Sequence, residues 1–139
     1  MLVDSNIVVY AINSTSPKHI KAQKFLQNNL DNLELAHQNI FETLRVLTHP
    51  KFPHPMKPKD ATLALERIME ICMIIHPDYR THQITLELIK KYQISSDKIF
   101  DGYLVATALA NGITKIATDN VKDLKRFKEI QVFNPFRSI

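Results

Sequence analysis

Apolar residues fall along this chain in short clusters whose spacing switches between strand-like runs and the i, i+3, i+4 rhythm of a helical face. Leu2-Val3 predicts a short strand stopped by Asp4, and Ser5 can cap a short helix through Ala11. The cluster Asn13-Ser14-Thr15-Ser16-Pro17 breaks the chain, with Pro17 near the first turn of a second helix that buries Ala22, Phe25, Leu26 and Leu30. Leu33–Ala36 predicts a strand, and a helix follows from about Asn39 to Thr48. Prolines 50, 53 and 55 forbid helix over His49–Pro55. A helix from Pro58 to Cys72 then presents Ala61, Leu65, Ile68 and Cys72 on one side.

Met73–Ile75 predicts a strand, Asp78–Gln93 a helix burying Leu88, Ile89 and Tyr92, and Asp101–Asn111 a helix that Gly112 can end in the left-handed conformation. Lys115–Thr118 and Ile130–Phe133 predict strands on either side of a short helix, Val121–Phe127. Strands alternating with helices imply parallel pairing through right-handed crossovers. The expected fold is a three-layer α/β/α sandwich around a central, mostly parallel sheet, forming one domain over residues 1–139. In such sheets the ligand site lies beyond the carboxyl ends of the strands, where strand order reverses.

Four acids fall at or near that rim. Asp4 follows the first strand and Asp119 the strand Lys115–Thr118; Asp101 opens the helix before that strand, and Glu42 lies in the first turn of the helix after the second. Each has a plain structural reading. Asp101 and Asp119 can cap helices, and Glu42 can pair with Arg45 on a helix surface. Asp4, flanked by Leu2, Val3, Ile7 and Val8, is the hardest to explain in that way. Clustered carboxylates repel one another, so gathering them costs stability unless cations neutralise them. Magnesium and manganese favour such oxygen ligands, and two ions about 3.5–4 Å apart can activate a water and stabilise the leaving oxygen of a phosphodiester.

Composition narrows the classes. With 45% hydrophobic and 23% charged residues the chain reads as a globular protein, and no apolar run approaches the roughly 20 residues of a spanning helix. The start carries no secretory pattern, and the lone Cys72 excludes an internal disulfide scaffold, so a cytoplasmic setting is expected. A net charge of +4 suits a polyanionic partner. Lys122, Lys125, Arg126 and Lys128 form either a solvated helix face or a phosphate-contacting edge, with Lys122 and Arg126 as substrate-binding candidates. His49 and His54 lack zinc-ligand spacing, and His37, in a strand-to-helix turn, fits a structural role. Tyr103 and Phe52 fit packing as readily as base stacking. With only Gly102 and Gly112, neither after the first strand, a dinucleotide-binding turn is absent, and Asn6 replaces the second acid of an aspartyl-phosphate phosphatase pair.

Leu2-Val3-Asp4-Ser5-Asn6, Glu42-Thr43-Leu44-Arg45-Val46-Leu47-Thr48, Asp101-Gly102-Tyr103-Leu104-Val105-Ala106-Thr107-Ala108 and Ala117-Thr118-Asp119 together resemble a PIN domain, and more narrowly a VapC-type toxin. The resemblance covers nearly the whole chain and implies a magnesium- or manganese-dependent endoribonuclease, the toxin of a type II toxin–antitoxin pair. Asp4, Glu42, Asp101 and Asp119 match the family's metal-binding acids, with Thr118 holding the site or its water. Asp123 would be an outer neighbour of the metal or a helix cap, and Asn120 and Asp97 further members. The resemblance also implies homodimers, an RNA substrate, and a cognate antitoxin whose C-terminal segment lies in a hydrophobic groove. The competing expectation is a PIN-shaped RNA- or protein-binding module that hydrolyses nothing.

Overall fold

The central strands are only two or three residues long, yet both faces of each are apolar, the pattern of parallel strands covered on both sides. The computed structural model describes residues 1–137. In chain order the elements are β1 (Leu2–Val3), α1 (Ser5–Ile12), α2 (His19–Gln27), β2 (Glu34–Ala36), α3 (His37–Thr48), α4 (Pro58–Met69) and β3 (Met73–Ile75). They continue with α5 (Thr81–Tyr92), α6 (Ile99–Ala110), β4 (Lys115–Ala117), α7 (Val121–Leu124) and β5 (Gln131–Phe133). The strands line up as β3-β2-β1-β4-β5, and every described pairing is parallel, so the sheet expected to be mostly parallel is wholly so.

Successive strand residues feed opposite layers. Val3, Leu35 and Ala117 pack with Ile7, Val8, Ala22 and Ile40 from α1 to α3, while Leu2, Ala36 and Ile116 pack with Leu88, Leu104, Val105 and Leu124 from α5 to α7. The result is the α/β/α sandwich, with β1 at its centre. After β1 the chain builds outward to β2 and β3, then returns to add β4 on the other side of β1. The switch point therefore lies between β1 and β4, and their carboxyl ends carry Asp4 and the Thr118-Asp119 pair.

Several boundaries differ from the sequence expectation. Leu30 leaves the second helix for a 3₁₀ turn, Leu30–Asn32, and is exposed. The Pro58 helix ends at Met69, which leaves Cys72 half-buried beyond it, its thiol pushed up to about 11 by burial. α3 starts at His37 because Asn39 accepts a hydrogen bond from the Ala36 N–H at 3.2 Å; Glu42 consequently sits in the second turn. α6 starts at Ile99, behind a 3₁₀ turn over Ser96–Lys98, so Asp101 lies inside its first turn and does not cap it. Gly112 ends α6 as expected, at φ 73°, with the Ile113 N–H bonded to the Ala108 carbonyl at 2.9 Å. No described helix is long and apolar enough to cross a membrane.

Candidate functional site

Asp4 leaves β1 in extended backbone and caps α1, its Oδ1 accepting from the Ser5 N–H at 2.8 Å. Its Oδ2 accepts from the Thr118 hydroxyl at 2.8 Å, which ties the ends of β1 and β4 together. Asn6 Nδ2 and Asn39 Nδ2 approach the same carboxylate at 3.4 Å each, so it is surrounded by donors. Thr118, fully buried, also receives Asn6 Nδ2 at 3.1 Å and the Asn120 N–H at 2.9 Å.

Glu42 joins this group through Ser5, whose hydroxyl donates to Glu42 Oε2 at 3.2 Å. Its other oxygen accepts from Gln38 Nε2 at 2.9 Å, and the same amide bonds the Phe100 carbonyl at 3.0 Å, bracing α3 against α6. Gln38 Oε1 is buried without a hydrogen-bond partner among the described residues. Gln38, Glu42 and Asp101 line one groove together with Phe41, Arg45, Asp97 and Phe100. The two phenylalanines are well exposed, at 67% and 61%.

The electrostatics divide the acids into two sets. Burial pushes the Asp4 carboxyl up, and Glu42 adds repulsion. Burial likewise raises Asp101 to about 6, with Asp123, Asp4 and Glu42 repelling its charge and Lys98 partly offsetting them. Asp4, Glu42 and Asp101 have no ion-pair partner among the described residues, so the expected surface pair of Glu42 with Arg45 does not form.

Asp119 and Asp123 are each paired. Asp119 bonds Lys18, accepts from the Tyr10 hydroxyl at 2.8 Å, and accepts from Asn134 Nδ2 at 3.0 Å. Burial works to raise its carboxyl, but those hydrogen bonds outweigh burial and hold it below the ordinary range. Tyr10, buried against that carboxylate, is pushed up to about 12. Asp123 is held low by Lys98 and also bonds Asn120.

Of the four acids expected to gather, the structure brings Asp4, Glu42 and Asp101 into one neighbourhood and turns Asp119 aside. Asp119 stays attached to the rim by its backbone, whose N–H donates to Asn6 Oδ1 at 3.1 Å. Asp123, not Asp119, is the acid whose charge presses on Asp101 from the β4 side. Among the described residues no three His, Cys, Asp or Glu side chains already stand at metal-ligand spacing. The donor set nevertheless suits a hard cation: three carboxylates without an ion-pair partner among the described residues, an orphaned amide oxygen in the same groove, and a repulsion at Asp101 that Lys98 offsets only in part.

The remaining candidates are peripheral. Lys122 is exposed, Arg126 is half-buried, and neither forms an ion pair among the described residues. Asp97 is exposed in the 3₁₀ turn before α6. His37 is exposed and tilted against His76 with ring centroids 5.5 Å apart. Tyr103 and Phe52 are half-buried, and Phe52 packs against Val9, Leu47 and Ala61.

Sequence reasoning missed the residues that hold the acids. Asn6, two positions after Asp4, faces Asp4 and Thr118, and Asn39 starts α3 beside them; polar residues at helix starts next to a rim acid were the available signal. Lys18 offered none, because it meets Asp119 across 101 positions of sequence.

Comparison with known proteins bears on the same points. The PIN domain profile matches residues 1–130. No curated protein matches the chain at sequence level. Among solved structures, VapBC2 from Rickettsia felis, bound to a DNA fragment from its promoter, has a similar chain: TM-score 0.70, 19% identity, covering 96% of each chain. FitAcB from Neisseria gonorrhoeae gives 0.72 at 18% identity over 99% of each chain. VapC20 of Mycobacterium tuberculosis, a sarcin–ricin-loop-cleaving toxin, gives 0.68 at 15% identity, covering 93% of this chain and 97% of its own. At such identities the likeness concerns the fold. The profile match over almost the whole length, on a parallel sheet with acids at its switch point, shows that the chain belongs to the PIN domain family.

Proposed function

We propose that this protein is a magnesium- or manganese-dependent endoribonuclease, the toxin of a type II toxin–antitoxin pair. The observation that carries the reading is the unpaired trio: Asp4, Glu42 and Asp101 press on one another at the switch-point rim of a basic chain without an ion pair among the described residues, while Asp119 and Asp123 nearby are each paired with a lysine. Such an arrangement is costly for a purely structural surface and is relieved by a bound divalent cation. Membership of the PIN family supports it, as do structural neighbours described as toxin–antitoxin complexes and as a toxin that cleaves the sarcin–ricin loop.

In this reading Asp4, Glu42 and Asp101 hold the metal, which when bound supplies Lewis-acid stabilisation of charge on phosphodiester oxygens. Thr118 holds Asp4 Oδ2 and Gln38 holds Glu42 Oε1, so both carboxylates are oriented before the metal arrives. Asp123 is the nearer candidate for a fourth, outer acid. For Asp119 to join, its carboxylate has to leave Lys18, Tyr10 and Asn134. Phosphate contacts from Lys122 and Arg126, a cytoplasmic setting, a homodimer and a cognate antitoxin complete the proposal; light scattering and co-purification with a neighbouring gene product test the last two.

The deciding experiment is cleavage mapping on total RNA with manganese and with chelator. Wild-type protein should cut only with metal, and Asp101→Asn should abolish cutting while keeping the fold. Undiminished cleavage by both Asp4→Asn and Asp101→Asn would sink the site assignment. Absence of metal-dependent cleavage by the wild type would hand the assignment to the non-hydrolytic binding module.

A further inference from the structure

Behind Asp119 the chain builds a second polar feature that the acidic rim does not use. The N-cap of α2 is Lys18, whose ammonium, besides pairing with Asp119, lies 5.2 Å from the centre of the Tyr10 ring and 5.5 Å from that of Phe136. Phe136 is also a wall of an open depression between α2 and the segment after β5. That depression is lined by Lys21, Lys24 and Arg137, interleaved with Phe25, Phe136 and the amide of Asn28.

All three cations are exposed, none has an ion-pair partner among the described residues, and no acid lines the depression. Asp119, at the rim end of the seam, is already paired with Lys18. Lys18, Lys21 and Lys24 recur every three residues, a stripe about 9 Å long at the 1.5 Å rise of a helix. One end of the stripe is Lys18, on Asp119; the next residue back along the chain from Asp119 is Thr118, which holds Asp4.

We propose that this α2 seam binds the phosphate backbone of a single-stranded RNA segment flanking the cleaved bond, a proposal that rests on the ribonuclease reading above. Cations neutralise phosphates, and aromatic rings and amides between them offer faces and edges to bases, the combination that single-strand binders use. An acidic peptide would need the cations but has no use for the rings. The rim end of the seam is Lys18, whose neighbouring carboxylate, Asp119, is already paired, whereas the Glu42 groove is lined by Glu42, Asp97 and Asp101, unpaired among the described residues, against a single cation, Arg45.

The test uses Lys21→Gln/Lys24→Gln, two exposed positions without partners, so melting should match the parent. In an Asp101→Asn background with chelator, binding of a short labelled oligoribonucleotide is titrated at several salt concentrations. Two lost phosphate contacts should weaken binding and lower the slope of log K against log salt by about 1.4. In the active protein with manganese, KM should rise with kcat unchanged. Unchanged slope and KM, in a protein that still cleaves, overturn the seam and leave the ribonuclease reading standing. If only Lys122→Gln/Arg126→Gln moves these quantities, the strand runs along α7 and the seam assignment is wrong. If the double variant loses affinity for polyglutamate and not for RNA, the seam docks an acidic protein, and the proposal is likewise overturned. A wild type that neither binds nor cuts RNA removes both readings together.

Discussion

Replacing Asp101 by asparagine removes one charge from the repelling trio while keeping the size of the side chain, and it should make the metal-free protein more stable at neutral pH. In the folded protein the carboxyl titrates at about 6, against an ordinary 3.8, so folding favours its protonated form. At about 1.36 kcal/mol per pH unit the full shift corresponds to about 3 kcal/mol. Asp101 is only half-buried and solvent screens it, which brings the expected gain down to about 1–2 kcal/mol. The sign follows from which state binds the proton more tightly. The wild type keeps this stability below the ordinary carboxylate value and loses it as pH rises from about 4 to about 6, where Asp101 must ionise in the fold. The variant has no such loss, so the two proteins should melt together near pH 4 and diverge by about 3–8 °C above pH 6.5. Manganese should narrow or invert the gap, because a ligand held at 100 times its Kd stabilises the native state by about 2.7 kcal/mol. The assay is thermal unfolding from pH 4 to 8, with chelator and with manganese. A variant no more stable than wild type at pH 7 in chelator refutes the claim that burial, helped by the charges of Asp123, Asp4 and Glu42, disfavours an ionised Asp101 in the fold.

Two other perturbations probe the network around the trio. Asp4→Asn introduces an amide where Thr118, Ser5, Asn6 and Asn39 all present donors, so one buried donor loses its acceptor; the variant should melt below Asp101→Asn at pH 7 in chelator by about 1–3 kcal/mol. Equal melting of the two asparagine variants would show that Asp4 is not held as described. Lys18→Met breaks the partly exposed ion pair with Asp119 and its contacts with the Tyr10 and Phe136 rings, for an expected loss of about 1–2 kcal/mol. Because Asp119 is held low in the fold, its stabilisation is present above the ordinary carboxylate value and fades as pH falls through its folded value. Acid unfolding of Lys18→Met should therefore begin at a higher pH than in the wild type, and an unmoved acid midpoint would count against the pairing.

Local chemistry made much of this protein legible from its residues alone. Leu2-Val3 before Asp4, Pro58 at the start of a helix and Gly112 after one each specify their own neighbourhood, because strand runs, helix starts and left-handed caps are decided within a few positions. Alternation of these units implied a parallel sheet, and the rule that ligands gather where strand order reverses was enough to single out Asp4, Glu42, Asp101 and Asp119 as candidates. The boundaries that moved did so for reasons just outside that window. A side chain on Asn39 drew the start of α3 back to His37, and the 3₁₀ turn before Ile99 placed Asp101 within α6. Which acids face one another was decided by tertiary structure. Asp119 directly follows the rim threonine and looked equal to the others, but Lys18 from the α1–α2 loop, Tyr10 from α1 and Asn134 after β5 converge on it and take its charge. Asp123, four residues further on, presses on Asp101 instead. Sequence thus determined the candidate acids through local spacing; the partner of each charge depended on contacts across 15 to 114 positions, whose distances no local pattern carries.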